Sequence, residues 1–116
     1  MATSYKFAWD QGTTISRVLR WRRDNEPVNL SGYSGRMEIR DRVGGTLLHR
    51  LDTDSLGTMT IDGPEGAISF EIPAEVTQTW TWRNAVYDLE LIDSEGRVTR
   101  LIQGTISLSP EVTTGD

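Results

Sequence analysis

Apolar and polar residues alternate with a period of two through most of this chain, and few segments show the 3.6-residue period of a helix. The pattern is clearest in "YSGRMEIR", "GAISFEI" and "NAVYDLELID". The apolar side of these stretches consists of Tyr33, Met37 and Ile39, then Ile68, Phe70 and Ile72, then Tyr87, Leu89 and Leu91. This pattern is typical of strands with one buried and one solvated face, so the sequence predicts an all-β fold.

Turn-forming sequences divide the chain at intervals of roughly 8 to 12 residues, a spacing typical of β-sandwiches and barrels. They are "RDNEP", "RVGG", "DSLG", "DGPEG" and "DSEG". Only "PAEVTQTW" has helical character, and it predicts one short helical turn that starts at Pro73. The stretch "RVTRLIQGTISLSP" predicts a bent final strand with a β-bulge at Gly104.

Composition narrows the class of protein. A length of 116 residues predicts one domain. The net charge is -5, whereas proteins that bind phosphate backbones are more often basic over the whole domain, so we expect no nucleic-acid partner. The absence of cysteine suits assembly in a reducing compartment. We find neither a signal peptide nor a run of ~20 apolar residues, so we expect no membrane association.

Residues suited to catalysis or metal binding are sparse. His49 is the only histidine, and without cysteine a zinc ion would have only carboxylates as its other ligands. No serine lies in a G-x-S-x-G turn. The acidic residues at 52–54 and 62–66 lack the oxygen spacing of a calcium loop and fit turn geometry. We therefore expect a non-enzymatic protein without metal or cofactor, in which His49 is a solvated strand residue.

The four tryptophans of the chain are more informative. Trp21 has the parity of a core residue. Trp80 and Trp82 share a parity at the start of a strand, and Arg83 follows them. If these side chains point outward, they form a contact patch, because tryptophan and arginine lead interface hot spots. If they point inward, they close one end of the sandwich, and the pattern leaves both interpretations open.

Arginines are concentrated in "LRWRRDNEPVNLSGYSGRMEIRD". Those that alternate with apolar neighbours, and so belong to the solvated faces of strands, are Arg20, Arg22, Arg36 and Arg40. Glu38 and Asp41 are predicted partners for cross-strand ion pairs.

Arg17, just before that stretch, shares the parity of Ile15, Leu19 and Trp21, where an apolar residue is expected. Either its stem passes the edge of the core, or a bulge shifts the register, or it faces a partner chain. A second candidate contact surface therefore comprises Arg17, Arg20, Arg22 and Arg23.

Three stretches, taken in order, carry a resemblance. They are "QGTTISRVLRWRRDNEPVNLSGYSGRMEIRDRVGGTLL", "GAISFEIPAEVTQTW" and "AVYDLELIDSEGRVTRLIQGTISLSPEV". They resemble a family of small phage and prophage proteins similar to the immunoglobulin-like N-terminal domain of the phage baseplate upper protein. The matching residues are Gln11, Gly12, Leu19, Trp21, Pro27, Val28, Leu30, Gly32, Tyr33, Arg36, Met37, Ile39, Arg40, Tyr87, Asp88, Leu89, Gly96, Val98, Arg100, Gly104, Ser109 and Pro110. Arg17 departs from the family pattern, which prefers an apolar residue there.

The resemblance implies an immunoglobulin-like antiparallel β-sandwich of roughly seven to eight strands with one short helical turn. It divides the chain into an N-terminal arm or edge strand at 1–10, the sandwich at 11–110 and a loose C-terminal tail at 111–116. Tyr87, two residues before Leu89, then matches the corner tyrosine of immunoglobulin domains.

The resemblance also implies a structural protein of a phage virion, assembled in the cytoplasm of the bacterial host. It would be attached in several symmetric copies to other phage proteins of the tail or baseplate. The candidate partner-binding residues are Trp80, Trp82, Arg83, Arg17, Arg20, Arg22 and Arg23. A capsid decoration protein is an alternative, because such proteins favour the same small β-folds. A carbohydrate-binding module, with Trp80 and Trp82 as a sugar platform, is a further alternative.

Overall fold

A computed structural model describes residues 3–54 and 58–113, and every structural statement below refers to these residues. Its elements, in chain order, are β1 (Thr3–Ser4), β2 (Phe7–Asp10), β3 (Ile15–Arg20), β4 (Arg22–Arg23), β5 (Glu26–Pro27), β6 (Ser34–Arg40), β7 (Leu47–Asp52), β8 (Met59–Asp62), β9 (Ala67–Ile72), α1 (Ala74–Thr77), β10 (Asn84–Ile92) and β11 (Val98–Ser109). Eight of the described strands have four or more residues, and α1 is the predicted short helical turn.

Two sheets form the sandwich. The first has the order β1-β11-β10-β6-β7, with β2 also paired to β11, and the second has the order β3-β9-β8. Strands β4 and β5 form a separate two-stranded ribbon. The predicted β-sandwich with one short helical turn is confirmed. Its paired strands are antiparallel, except that β1 and β2 both run parallel to β11.

The core lies between the sheets and is built from the alternating positions that the sequence predicts. The fully buried aliphatic residues include Met37 and Ile39 on β6, Ile68 and Ile72 on β9, and Leu89 and Leu91 on β10. Tyr33 is only half-buried, because it precedes β6. Period two thus identifies the buried face correctly on all three of the clearest strands.

The N-terminal strands are part of this core. β2 pairs with residues Ile106–Ser109 of β11, and its Phe7 and Trp9 are buried. The Tyr87 hydroxyl donates a hydrogen bond of 2.7 Å to the carbonyl oxygen of Tyr5, 82 residues away in sequence. The prediction of a corner tyrosine is therefore wrong, since a corner tyrosine bonds to backbone only a few residues upstream.

Gly104 has a different role from the predicted one. The register between β10 and β11 shifts where Leu89 faces Ile102 and Glu90 faces Arg100, so the bulge lies at Leu101. A Cβ atom on Gly104 would collide with the carbonyl oxygen of Tyr5. At Gly104 the N-terminal segment therefore approaches the β11 backbone more closely than a residue with a Cβ would permit.

One end of the sandwich is tied together by Gln11. Its side-chain Nε2 donates to the carbonyl oxygens of Trp80 (2.8 Å) and Gln78 (3.2 Å), and its Oε1 accepts from the amide of Glu111 (2.8 Å). This single side chain joins the end of β2, the segment after α1 and the segment after β11. The predicted turn at 55–57 and the end of the predicted tail, 114–116, lie outside the described residues.

Candidate protein-binding surfaces

The eleven arginines of the chain fall into two groups. Six form ion pairs, mostly on the solvated face of the first sheet. These pairs are Arg36–Glu90 (2.9 Å), Arg40–Glu38 (2.8 Å), Arg50–Glu38 (2.6 Å), Arg50–Asp52 (3.1 Å), Arg100–Asp88 (3.5 Å), Arg97–Asp93 (2.8 Å), Arg97–Glu95 (2.6 Å) and Arg42–Asp41 (3.4 Å). The sequence prediction of a solvated, charge-paired face is confirmed for Arg36 and Arg40.

Glu38 is the centre of this network. Its carboxylate accepts from both Arg40 and Arg50, and each arginine contacts a different oxygen. The hydrogen bond from Arg40, followed by that from Arg50, holds the pKa of Glu38 below its ordinary value, although partial burial opposes the shift. Its neighbour Asp88 behaves in the opposite way, because burial and the nearby Glu90 raise the pKa of Asp88.

The remaining five arginines have no carboxylate oxygen within 4.0 Å in the described part of the chain. They are Arg17, Arg20, Arg22, Arg23 and Arg83, which are the same five arginines that the sequence picks out as candidate partner-binding residues. The first four lie together along β3 and β4, and we call them the arginine edge. The binding role of the five arginines stays a prediction, but their lack of an acidic partner in the described structure distinguishes them from the other six arginines.

Arg17 lies opposite Phe70 of β9, with its side chain half-buried. The register between β3 and β9 runs without a shift from Ile15 to Arg20, so the bulge alternative is wrong. Its Nη1 donates a 2.8 Å hydrogen bond to the carbonyl oxygen of Ser16. The side chain therefore starts on the inner face and extends to the open edge of the sheet.

Arg22 and Arg23 are presented by the β4–β5 ribbon. Its two turn residues, Asp24 and Asn25, have φ of 52° and 65°, the backbone of a type I′ hairpin. The guanidinium of Arg23 lies 5.6 Å from the ring centre of Trp21, which orients the arginine without neutralising it. The ribbon thus holds two exposed cations beside the end of β3.

A cleft of about 740 Å³ opens beside the arginine edge. Its lining comprises Thr3, Leu19, Arg20, Trp21, Arg22, Arg23, Thr99, Arg100, Leu101 and Ile102. The cleft lies between the end of β3 and the start of β11, which belong to different sheets. It combines apolar side chains with arginines and a tryptophan, and aromatic residues and arginine are enriched at protein–protein interfaces.

The second candidate patch, at Trp80, Trp82 and Arg83, is only partly on the surface. Trp80 is 6% exposed and packs against Trp9 at 6.4 Å and Trp82 at 5.0 Å between ring centres. Trp82 is half-buried and Arg83 is exposed. The inward interpretation therefore holds for Trp80, and of these three residues Arg83 and part of Trp82 are on the surface.

His49 belongs to the same cluster. It lies opposite Ile39 and packs edge-on against Trp80, 5.7 Å between ring centres. The expectation of a solvated histidine is wrong, because the side chain is half-buried and burial lowers its pKa.

Among the described residues, no group of three or more histidine, cysteine, aspartate or glutamate side chains is placed to hold a metal ion. No helix in residues 3–54 and 58–113 is long and apolar enough to cross a membrane.

No protein-family model and no curated protein matches the sequence. Among solved structures, the crystal structure of CopC from Methylosinus trichosporium OB3b aligns with 97% of this chain. The alignment covers 87% of that protein, with 12% sequence identity and a TM-score of 0.47. We draw no functional conclusion from a similarity at that level.

Proposed function

We propose that this chain is a non-enzymatic structural protein of a phage virion, a docking module that attaches to tail or baseplate proteins by surface complementarity. The observation that carries the docking role is the segregation of the arginines. Elsewhere in the described chain each arginine except Arg83 has an acidic partner, whereas the four cations of the arginine edge have none. The resemblance of the sequence to small phage proteins suggests the virion as the location.

A physical argument favours a partner for this edge. Four like charges within two short neighbouring strands repel one another, and no ion pair in the described structure offsets that repulsion. A partner with an acidic surface would relieve the repulsion, and its approach would be accelerated by the local field. Because the whole protein has a net charge of -5, the edge also orients the molecule toward such a partner.

The carbohydrate alternative gains no support from the geometry. A sugar platform needs exposed aromatic faces, but Trp80 is 6% exposed and stacked against its neighbours. A capsid decoration protein remains the competing location, since both locations require a docking surface and no catalytic site.

Immunogold labelling of purified particles tests the location. An antibody against the purified chain is expected to label tails or baseplates, with pre-immune serum as the control. Label confined to capsids would replace the tail assignment with the decoration alternative. Particles without label, and without the protein by mass spectrometry, would overturn the virion proposal.

A charge-reversal pair tests the docking surface. Particles are assembled with the double variant Arg20→Glu/Arg22→Glu or with the control Arg42→Glu, which reverses an exposed arginine of the β6–β7 turn. We expect the double variant to be depleted from particles by about tenfold or more and the control to be retained. Equal retention of both would remove the arginine edge from the docking surface.

A further inference from the structure

The route of the N-terminal strand leaves one edge of the second sheet open. In immunoglobulin constant-type domains, the four-stranded sheet has the order A-B-E-D, so a first strand covers strand B. Here β1 and β2 pair with β11 of the other sheet, and among residues 3–54 and 58–113 the only strand paired with β3 is β9. The position beside β3 is therefore unpaired, and the side chains of Ser16, Val18 and Arg20 there are exposed.

The hydrogen-bond pattern shows which backbone groups face this edge. The Trp21 amide donates to the Gly66 carbonyl at 2.8 Å, which continues the β3–β9 register by one position beyond the Arg20–Ala67 pair. Hydrogen-bonded pairs alternate along an antiparallel ladder, so Leu19 and Arg17 also bond to β9. The N–H and C=O groups of Ser16, Val18 and Arg20 consequently point away from β9.

The other side of β9 supports the same assignment. The Glu71 amide donates to the Thr58 carbonyl, so Glu71 bonds toward β8 and not toward Ser16, its neighbour on β3. Within the described residues, the Ser16 carbonyl has one partner, the Arg17 guanidinium. The edge thus offers alternating donors and acceptors over a strand of about 20 Å.

Charge selects the partner for this edge. Strands β3 and β4 carry Arg17, Arg20, Arg22 and Arg23 and no acidic residue. The acidic residues on adjoining strands and turns include Glu71 on the outer face of β9, Asp24 and Glu26 on the ribbon, and Glu65 in the turn before β9. None of these four carboxylates forms an ion pair with an arginine in the described structure. The unpaired positive charge of the arginine edge complements an acidic segment.

The lining of the cleft indicates which side chains the partner strand would direct toward the space between the sheets. A strand added to β3 would direct every second side chain toward the space between the sheets. There the cleft offers Leu19, Trp21 and Leu101 as apolar contacts, with arginines at its rim. Apolar residues that alternate with acidic ones would satisfy both surfaces.

We propose that the β3 edge binds, as an added strand, an extended segment of a partner protein in which acidic and apolar residues alternate. This deepens the proposed docking function and rests on it for the identity of the particle. A nucleic acid fits the edge less well, because phosphates accept hydrogen bonds but do not donate to the carbonyls of Val18 and Arg20. A polypeptide backbone supplies both groups.

Binding of a synthetic peptide to the full chain tests the proposal directly. The probe is a peptide of about eight alternating glutamate and valine residues, long enough to span β3. A lysine-valine peptide and an oligothymidylate are the controls. We expect the glutamate-valine peptide alone to bind, more weakly as salt is raised. Binding of the oligonucleotide without the acidic peptide would replace the proposal with a nucleic-acid surface.

Val18→Pro separates strand addition from simple charge attraction. Proline removes the Val18 amide, which faces the edge and has no partner in the described structure, so no bond to β9 is lost. The control Val18→Thr changes the side chain but keeps the amide. We expect Val18→Pro to weaken peptide binding about tenfold or more and Val18→Thr to retain it. Full binding by a folded Val18→Pro variant would overturn strand addition.

Hydrogen exchange gives a second readout that does not depend on a variant. In the free chain, the amides of Ser16, Val18 and Arg20 are expected to exchange faster than those of Arg17 and Leu19. Saturating peptide should slow the first set and leave the second unchanged. Protection of the first set in the free chain at high concentration, with dimers by light scattering, would identify a second copy as the occupant and overturn the acidic partner.

The two proposals fail in different ways. If immunogold labelling finds no protein on particles but the peptide binds through the β3 edge, the virion location is overturned and strand addition at the β3 edge is retained. If the protein is on particles and the Val18→Pro variant is incorporated to the same extent as Val18→Thr, the virion location is supported and the strand-addition inference is overturned.

Discussion

At the scale of single residues, Gln11 and Gly12 show how a short sequence motif closes one end of the sandwich. Gln11 bonds to three backbone groups from two distant segments. The Gly12 amide donates to the hydroxyl of Thr77, a residue with no exposed surface, and that hydroxyl donates in turn to the Thr13 carbonyl. The "QG" pair of the resemblance therefore has a structural explanation that needs no ligand.

We predict that Gln11→Ala lowers the free energy of unfolding by about 1–3 kcal/mol, because it removes hydrogen bonds to partly buried backbone groups. Urea denaturation followed by tryptophan fluorescence measures the change. Gln103→Ala is the matched control, since within the described chain the Gln103 side chain accepts one hydrogen bond, from Arg100 on the surface, and its effect should lie within about 0.5 kcal/mol. Equal effects of the two substitutions would contradict the conclusion that the Gln11 side chain holds these segments together.

At the scale of elements, the pairing of the N-terminal segment with β11 decides which sheet edge is covered. The segment is held by Phe7 and Trp9 in the core, by the Tyr87 hydroxyl and by the Tyr5 amide, which donates to the Gln103 carbonyl at 2.9 Å. At Gly104 this pairing leaves no room for a Cβ atom.

Gly104→Ala is predicted to displace residues near Tyr5 from β11 and to destabilise the fold by about 1–3 kcal/mol, because the new methyl group would overlap the Tyr5 carbonyl. Faster hydrogen exchange of the Tyr5 amide, with unchanged exchange in β6, is the expected signature. Thr105→Ala, at an exposed neighbouring position of the same strand, serves as the control. Unchanged protection of Tyr5 in the glycine variant would show that the backbone accommodates a methyl group there.

At the scale of the whole molecule, the two sheets distribute charge differently. The outer face of the first sheet pairs its arginines with carboxylates, whereas the edge of the second sheet leaves its arginines unpaired. The paired face contributes to the pH dependence of stability, and the unpaired edge is available for a partner. One chain thus separates its stabilising charges from those we assign to binding.

The pKa of Glu38 on the paired face predicts a measurable pH dependence of stability. The pKa is lower in the folded chain than the ordinary value of 4.5, because the ionised form accepts hydrogen bonds from Arg40 and Arg50. The resulting stabilisation is therefore present above the unfolded pKa and is lost as the pH falls through the folded pKa. We predict that Glu38→Gln lowers the Tm at neutral pH and that its difference from wild type shrinks in strong acid.

Thermal unfolding over a pH series checks the Glu38 prediction. Glu75→Gln is the control, because Glu75 is exposed on α1 and forms no ion pair in the described structure. A deficit of Glu38→Gln that stays constant from neutral to strongly acidic pH would mean that the Arg40–Glu38–Arg50 contacts do not depend on the ionised carboxylate.

Many residues of the candidate binding surfaces could be predicted from the sequence, but their geometry could not. The five arginines without ion pairs were identifiable from sequence as candidate contact residues. Their lack of ion pairs was not, because Asp24 and Glu26 lie beside Arg23 in the ribbon and only the tertiary structure shows that neither pairs with it in the described chain. The burial of Trp80 was not, since parity places Trp80 and Trp82 on the same side without saying whether that side faces the core. Nor was the path of Arg17, which depends on the position of the sheet edge beside it.

The sequence by itself determined the strands, their turns and their buried faces, because alternation and turn chemistry are local properties that each segment carries alone. Only the tertiary structure decided which strands are neighbours: that β2 joins β11, that Tyr87 reaches Tyr5, that the bulge lies at Leu101 and that β3 is left at an edge. Period two specifies the face that a strand buries but not the strand that lies beside it. Strand pairing depends on how all the strands pack into one core, and here that packing leaves the arginine-rich edge open.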